Sequence, residues 1–289
     1  MSSKGKRRVG IIAALSLGAL AMLMPFAGRL FGRPRVRYTY DTGALGADAA
    51  AKLVGVPGWS RTSLEVAPGV SLNGLVRKPS DSAAPWLFFL SGNDGTLLTT
   101  AQKFIERVRG GADFGAAVYA YRGYDSSSGV PEREDIARDM RMAYERLLSD
   151  QKLKPQQVHV AAFSLGGYFG ARLLSELADD PKRPASLSLL APAEFIVMVR
   201  KGSALAEKLA PGDLIEMQPL LESVPAPVLV VQGSGDQTTG VEMGRTVAKK
   251  LGERAKYVEL DGVGHIALQE NDDAAKAVRE FMLSATKAR

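Results

Sequence analysis

A chain of 289 residues with 46% hydrophobic and 24% charged side chains has the make-up of a globular domain with one sizeable core. Its net charge of +6 does not imply an anionic partner, because Lys4, Lys6, Arg7, Arg8, Arg29, Arg33, Arg35 and Arg37 stand in the first 37 residues without one acid. The rest carries 29 basic against 31 acidic residues, which takes away the main support for nucleic-acid binding, and the absence of cysteine excludes disulfides, a thiol nucleophile and thiolate metal sites.

The chain opens with a cationic cluster, then runs from Val9 to Gly28 without a charge and meets Arg29. This length lies between a signal peptide and a spanning helix. Ala19-Leu20-Ala21 is buried in the apolar run and makes a poor cleavage site, so residues 1–37 are expected to be an uncleaved N-terminal membrane anchor in preference to a removed signal. Arg7-Arg8 lacks the surroundings of a twin-arginine signal. The expected location is membrane-anchored or exported, that is periplasmic or otherwise extracytoplasmic. Residues 38–58 read as a tether, its Gly/Ala-rich part from Asp41 to Gly58 including room for a short helix.

From Trp59 the pattern is that of a folded domain, expected over 59–289. Trp59 to Glu65 and Val70 to Arg77 flank Pro68-Gly69 and predict a β-hairpin. Trp86 to Leu90 is short and wholly apolar, as in a strand buried on both faces. Helical spacing over Thr99 to Arg109 is followed by a strand at Gly115 to Tyr121 and a helix at Pro131 to Leu148. The alternation continues with a strand at Val158 to Phe163, a helix at Gly167 to Leu177 and strands at Leu187 to Leu190 and Val228 to Val231. It closes with a helix at Val241 to Leu251, a strand at Lys256 to Leu260 and a helix at Asp273 to Ser284. Such repeats predict an α/β fold: a mainly parallel central sheet with helices on both faces. Only residues 193–226 break the rhythm, and they suit either a connecting helix with loops or a small lid over an apolar channel.

Val158-His-Val-Ala-Ala-Phe-Ser-Leu-Gly-Gly167 runs from a strand through a serine flanked by small residues straight into a helix. A sharp strand-to-helix turn lifts the Ser164 hydroxyl clear of the sheet, and it needs small residues two before and two after, here Ala162 and Gly166. A serine hydroxyl needs a base to attack. Of the two histidines, His159 lies on the strand before the turn, roughly 16 Å from Ser164 along an extended chain, and reads as a buried strand residue. His265, in Asp261-Gly-Val-Gly-His265 after the last strand, is the candidate base. Asp236 in Gln232-Gly-Ser-Gly-Asp236 gives the order Ser, Asp, His and is the candidate for orienting the imidazole, with Asp261 and Glu194 as competitors. The developing oxyanion needs backbone N–H donors. Leu165 supplies one by position, and the loop Ser91-Gly-Asn-Asp-Gly95 supplies the other through Asn93, or failing that Asp94.

With these residues in place, the chain from about Trp59 onward resembles the α/β-hydrolase superfamily. Within it, Tyr121-Arg-Gly-Tyr-Asp-Ser-Ser-Ser-Gly129 is similar to the Tyr-Arg-Gly-Tyr-Gly-x-Ser-x-Gly segment of the Bem46-like group. Two departures stand in the oxyanion loop, where Ser91 replaces a His and Asp94 an Ala. The resemblance implies a serine hydrolase acting on a small-molecule or lipid ester, a thioester or an amide. Cleavage of a carboxylic ester or thioester through an acyl-enzyme is the leading expectation. A peptidase or amidase with the same triad and a non-catalytic binding protein on the same fold are the alternatives. Arg122 and Tyr124 suit either a substrate carboxylate or the fixing of loops. No metal or cofactor is implied, since there is no His-x-x-x-His, calcium-loop or phosphate-loop pattern. Oligomeric state is left open.

Overall fold

The computed structural model describes residues 36–43, 56–199, 202–205 and 212–287. Residues 1–35 of the anchor expected over 1–37, and 44–55 of the expected tether, therefore lie outside the described residues. Among the described residues no helix is long and apolar enough to cross a membrane.

Eight strands make the central sheet: β2 (Trp59–Ala67), β3 (Val70–Arg77), β4 (Trp86–Leu90), β5 (Gly115–Tyr119), β6 (Val158–Phe163), β7 (Ser186–Leu190), β10 (Val228–Gly233) and β11 (Ala255–Leu260). Their order is β11-β10-β7-β6-β4-β5-β3-β2. All pairs from β11 to β5 are parallel, and only the opening hairpin adds antiparallel pairs, β2 with β3 and β3 with β5. The wholly apolar sequences of β4 and β5 follow from this position, since a central parallel strand is buried on both faces.

Helices cover both faces. Phe88 and Phe89 are neighbours on β4 and so point to opposite sides. Phe89 packs on Phe104 of α1 (Leu97–Arg109), ring centroids 5.4 Å apart, whereas Phe88 meets Tyr144 of α2 (Arg133–Gln151) edge-on at 5.9 Å. Helix α3 (Gly166–Glu176) packs with α2, and the short α4 (Gln218–Glu222) packs between α3 and α5 (Val241–Leu251). The closing helix α6 (Asp272–Lys287) lies against α1 on the other side. Full burial of either phenylalanine contributes about 1.5–3 kcal/mol.

Residues 193–226, expected as a connecting helix with loops or as a small lid, contain two strands and a short helix among the described residues. They hold β8 (Phe195–Val199) and β9 (Asp213–Glu216), paired antiparallel, followed by α4. The end of the expected anchor and the start of the expected tether form a strand, since β1 (Val36–Thr39) joins β8 and β9 in a separate three-stranded sheet of order β1-β8-β9. The fourth residue after that strand's start, Tyr40, extends the pairing, its N–H donating to Val199 O at 2.9 Å. Asp213 fastens this small sheet to the main body, accepting at Oδ2 from the Tyr40 hydroxyl (2.6 Å) and from the Arg133 N–H at the start of α2 (2.9 Å).

Two buried acids fix the segment after β5. The Arg122 guanidinium holds Asp139 of α2 through two bonds of 2.7 and 2.6 Å and reaches Asp135 at 2.6 Å, with the Asp139 side chain fully buried. Arg122 is thus a loop-fixing residue whose donors are committed within the fold. Removing one partner of such a pair strands a buried charge, so Arg122→Met is expected to cost about 3–5 kcal/mol of unfolding free energy. Denaturant unfolding measures this.

Asp125 is fully buried and caps α1 from a distance, accepting the Leu98 N–H at 2.6 Å, where Thr96 provides no side-chain cap. Burial pushes its carboxyl up to about 6 against the countervailing Leu98 bond, with Asp94 nearby adding to the rise. A carboxyl raised in the folded state keeps a proton that the unfolded chain has released, so its ionisation opposes folding as pH rises from about 4 through 6. Asp125→Asn is expected to gain about 1–2 kcal/mol relative to the parent between pH 4 and pH 7. Urea unfolding of both proteins at the two pH values tests it, and a pH-independent difference would contradict it.

Candidate active site

Strand β6 delivers Ser164 at its carboxyl end, and the next residues begin α3. Ser164 is in the left-handed region with φ +50°, a strained conformation for a residue with a side chain. Its N–H donates to Leu190 O at 2.9 Å, which ties the turn to the end of β7. The small residues around it have a steric cause. A Cβ on Gly166 would run into the carbonyl oxygens of Leu90 and Ser91, and one on Gly92 would come within 2.9 Å of the Phe163 ring and 3.3 Å of the Ser164 Cβ. The loop after β4 therefore lies directly against the serine. Ala162 is accommodated because the residue facing it on α3 is Gly170, where a Cβ would approach the Ala162 Cβ to 3.2 Å.

The structure brings Ser164, His265 and Asp236 together. His265 Nε2 is 3.0 Å from Ser164 Oγ, and its Nδ1 is 2.8 Å from Asp236 Oδ2. All three are buried, with 7%, 9% and 4% of their surface exposed respectively. The His265 ring also lies against Phe163, centroids 4.9 Å apart, which limits its rotation.

Asp236 is held more fully than the sequence implied. Oδ2 accepts from His265 Nδ1, from Gln232 Nε2 (2.9 Å) and from the Thr239 hydroxyl (2.8 Å), while Oδ1 accepts the N–H groups of Thr238 (2.8 Å) and Thr239 (3.0 Å). Burial alone would raise this carboxyl, but the bonds from His265 and Thr239 outweigh it and hold it well below the ordinary carboxylate range. Asp236 therefore stays ionised far into acid. Its competitor Asp261 is a turn residue that accepts the Ser234 hydroxyl at 3.0 Å, and the imidazole bond goes to Asp236 rather than to Glu194. His159 is occupied elsewhere, between the hydroxyls of Ser186 (2.7 Å) and Thr286 (3.0 Å).

The two expected oxyanion donors share one cavity with Ser164. It measures about 160 Å³, and Asn93, Leu165, Phe163 and His265 stand around the serine. Neither the Asn93 nor the Leu165 N–H is engaged by another backbone group among the described residues. Tyr38 of β1 and Ile196 and Met198 of β8 make the opposite wall, with Ile266, 63% exposed, at the mouth. Residues i and i+2 on a strand share a face, which is how Ile196 and Met198 both reach the cavity. The site thus draws on the small sheet as well as the large one. Tyr124, the other residue considered for a substrate carboxylate, is buried and donates its hydroxyl to Asn93 Oδ1 at 2.7 Å.

Gln232, Thr238, Thr239 and Tyr38 were not expected at the site, whereas Ile196 and Met198 belong to the stretch considered as a lid over an apolar channel. A signal existed for two of them, because an aspartate in a loop commonly accepts N–H groups two or three residues on, and Asp236 does so with Thr238 and Thr239.

A mixed eight-stranded sheet with helices on both faces, carrying a serine at a strand-to-helix turn, is the α/β-hydrolase fold. Residues 214–289 match the family described as TAP-like protein, a set of α/β-hydrolases. A protein of Mycobacterium tuberculosis strain H37Rv, Rv2307c, is 26% identical over 270 residues, covering 92% of this chain and 90% of that one. Among solved structures, a membrane phospholipase A described as a bacterial virulence factor superposes with TM-score 0.60 at 16% identity, covering 98% of this chain and 100% of that one. The Pyrococcus furiosus esterase Pf2001 superposes with TM-score 0.63 at 15% identity, covering 87% and 98%. The chain therefore has the α/β-hydrolase fold, shared with this esterase and this phospholipase, and its C-terminal part is similar to the TAP-like family.

Proposed function

We propose that the chain is a serine hydrolase that cleaves a carboxylic ester or thioester through an acyl-enzyme on Ser164. The observation that carries this reading is the continuous relay from Ser164 Oγ through His265 to Asp236, at 3.0 and 2.8 Å. In the first step Ser164 Oγ attacks the substrate carbonyl carbon while His265 Nε2 takes its proton, and Asp236 stabilises the imidazolium that forms. The carbonyl π electrons move to oxygen, and the N–H groups of Leu165 and Asn93 receive that charge. Collapse expels the alcohol or thiol, which leaves with the proton from His265. A water molecule, deprotonated by the same imidazole, then frees the acid and restores Ser164.

The wall made by Tyr38, Ile196, Met198 and Phe163 favours an apolar acyl group. At about 160 Å³ the cavity is smaller than the 300–1,000 Å³ usual for drug-sized ligands, which favours a short acyl chain. Likeness to an esterase and to a phospholipase in fold supports ester chemistry without choosing the alcohol. The test is a p-nitrophenyl ester series from acetate to palmitate together with labelling by a fluorophosphonate probe. Turnover highest at short chains and labelling at Ser164 are expected. Folded protein that neither reacts with the probe nor turns over any member would overturn the proposal.

A further inference from the structure

The segment Tyr38–Asp41 crosses the cavity from one functional loop to another. At one end the Tyr38 hydroxyl is 3.4 Å from Thr238 O, in the loop that holds Asp236. At the other end the chain grips the Asn93 side chain twice, Asn93 Nδ2 donating to Thr39 O at 2.9 Å and Asn93 Oδ1 accepting the Asp41 N–H at 2.9 Å. Tyr124 adds a third bond to this side chain, its hydroxyl donating to Oδ1 at 2.7 Å. These partners fix which way the amide points, since a carbonyl can only accept and a backbone N–H can only donate. Tyr40, between the two grips, is pinned in turn through Val199 and Asp213.

An oxyanion donor works only if it is aimed before the charge develops, and a loop containing Gly92 and Gly95 has little stiffness of its own. The polar atoms of the Asn93 side chain are all engaged by the strap and Tyr124, which anchors the residue whose backbone N–H is the expected oxyanion donor in the cavity shared with Ser164. We propose that Tyr38–Asp41 is a positioning strap for the oxyanion loop, that Asn93 is the positioning residue through which it acts, and that the functional hydrolase unit therefore begins near residue 36 instead of residue 59. This rests on the serine-hydrolase reading of the same cavity.

The experiment uses the full-length chain in detergent, with p-nitrophenyl butyrate as substrate and an aryl trifluoromethyl ketone as a mimic of the tetrahedral adduct. Asn93→Ala removes all three bonds, Asp41→Pro removes the one N–H, and Tyr124→Phe removes the one hydroxyl. For Asn93→Ala kcat is expected to fall about ten- to a hundredfold with KM little changed, and the ketone's affinity to weaken in step with kcat. The two single-bond variants are expected to show smaller falls of the same kind. A strap that only stabilised the fold would lower the melting temperature and leave kcat per folded molecule at the parental value in all three, and that result overturns the proposal. Because Asp41→Pro and Tyr124→Phe each delete one bond, they keep the test decisive if Asn93→Ala does not fold. Absence of Ser164-dependent turnover in the parent protein would instead overturn the hydrolase reading beneath it.

Discussion

Ser164→Ala is expected to lower kcat on a short p-nitrophenyl ester by at least about 10⁴-fold and to abolish fluorophosphonate labelling, with the unfolding midpoint unchanged or slightly raised. The size follows, on the proposed mechanism, from the loss of covalent catalysis, since Ser164 Oγ is the hydroxyl hydrogen-bonded to His265 Nε2 among the described residues, at 3.0 Å. The direction of the stability change follows from the backbone. Ser164 sits at φ +50°, and alanine bears the same Cβ penalty there without the hydroxyl that has to be desolvated at 7% exposure. Nucleophile and base act as a unit, so Ser164→Ala combined with His265→Ala is expected to be no slower than Ser164→Ala alone. Additive losses in the double variant would mean that His265 serves some step in which Ser164 takes no part. Active-site titration together with steady-state kinetics on the three proteins makes the comparison.

Much of the large sheet was legible in the sequence because its central strands are short, mostly apolar runs, each readable from its own residues. Trp86–Leu90 and Val158–Phe163 fall where their apolar runs predict, and the helix ends move by only a few residues. The small sheet was not legible, for a definite physical reason. Val-Arg-Tyr-Thr at 36–39 has β-favouring residues but is only four long, and it becomes a strand through pairing with residues about 160 positions away, which the local sequence does not show. The same holds within the site. Ser164 and His265 were placed by the chemistry of their own neighbours, Gly166 for the one and Gly262 and Gly264 for the other. The support given by Gln232 and the strap depends on where side chains point after folding, which spacing along the chain does not encode. The Asn93 side chain shows the difference well: its loop was found from its glycines, while the role of its amide came only with the partners on residues 39, 41 and 124.

Asp236→Asn is expected to lower kcat by about 10²–10⁴-fold while leaving the three residues in place, and the hydrogen-bond pattern explains why so isosteric a change has so large an effect. The Oδ1 position faces two backbone N–H groups, from Thr238 and Thr239, which cannot reverse direction. The carbonyl oxygen of an asparagine is therefore forced to that side, and its NH₂ is forced to the Oδ2 position facing His265 Nδ1. A donor there makes Nδ1 the acceptor and moves the ring proton to Nε2, so His265 donates to Ser164 instead of taking its proton. Two other donors to Oδ2 must give way, and both can. The Thr239 hydroxyl can turn its hydrogen aside and accept, and Gln232, whose Nε2 donates to Asp236 Oδ2 while its Oε1 is buried without a hydrogen-bond partner, can flip its amide to present an acceptor to the new NH₂. The variant is thus stabilised in the inactive tautomer, and raising the pH is not expected to restore turnover, because the defect is the position of a proton and not its presence. Asp261→Asn, which touches only the Ser234 hydroxyl and the turn, is expected to stay within a few-fold of the parent. Equal losses in the two variants would transfer the orienting role away from Asp236, and pH–rate profiles of both against the parent, with nuclear magnetic resonance of the His265 ring nitrogens, distinguish the outcomes.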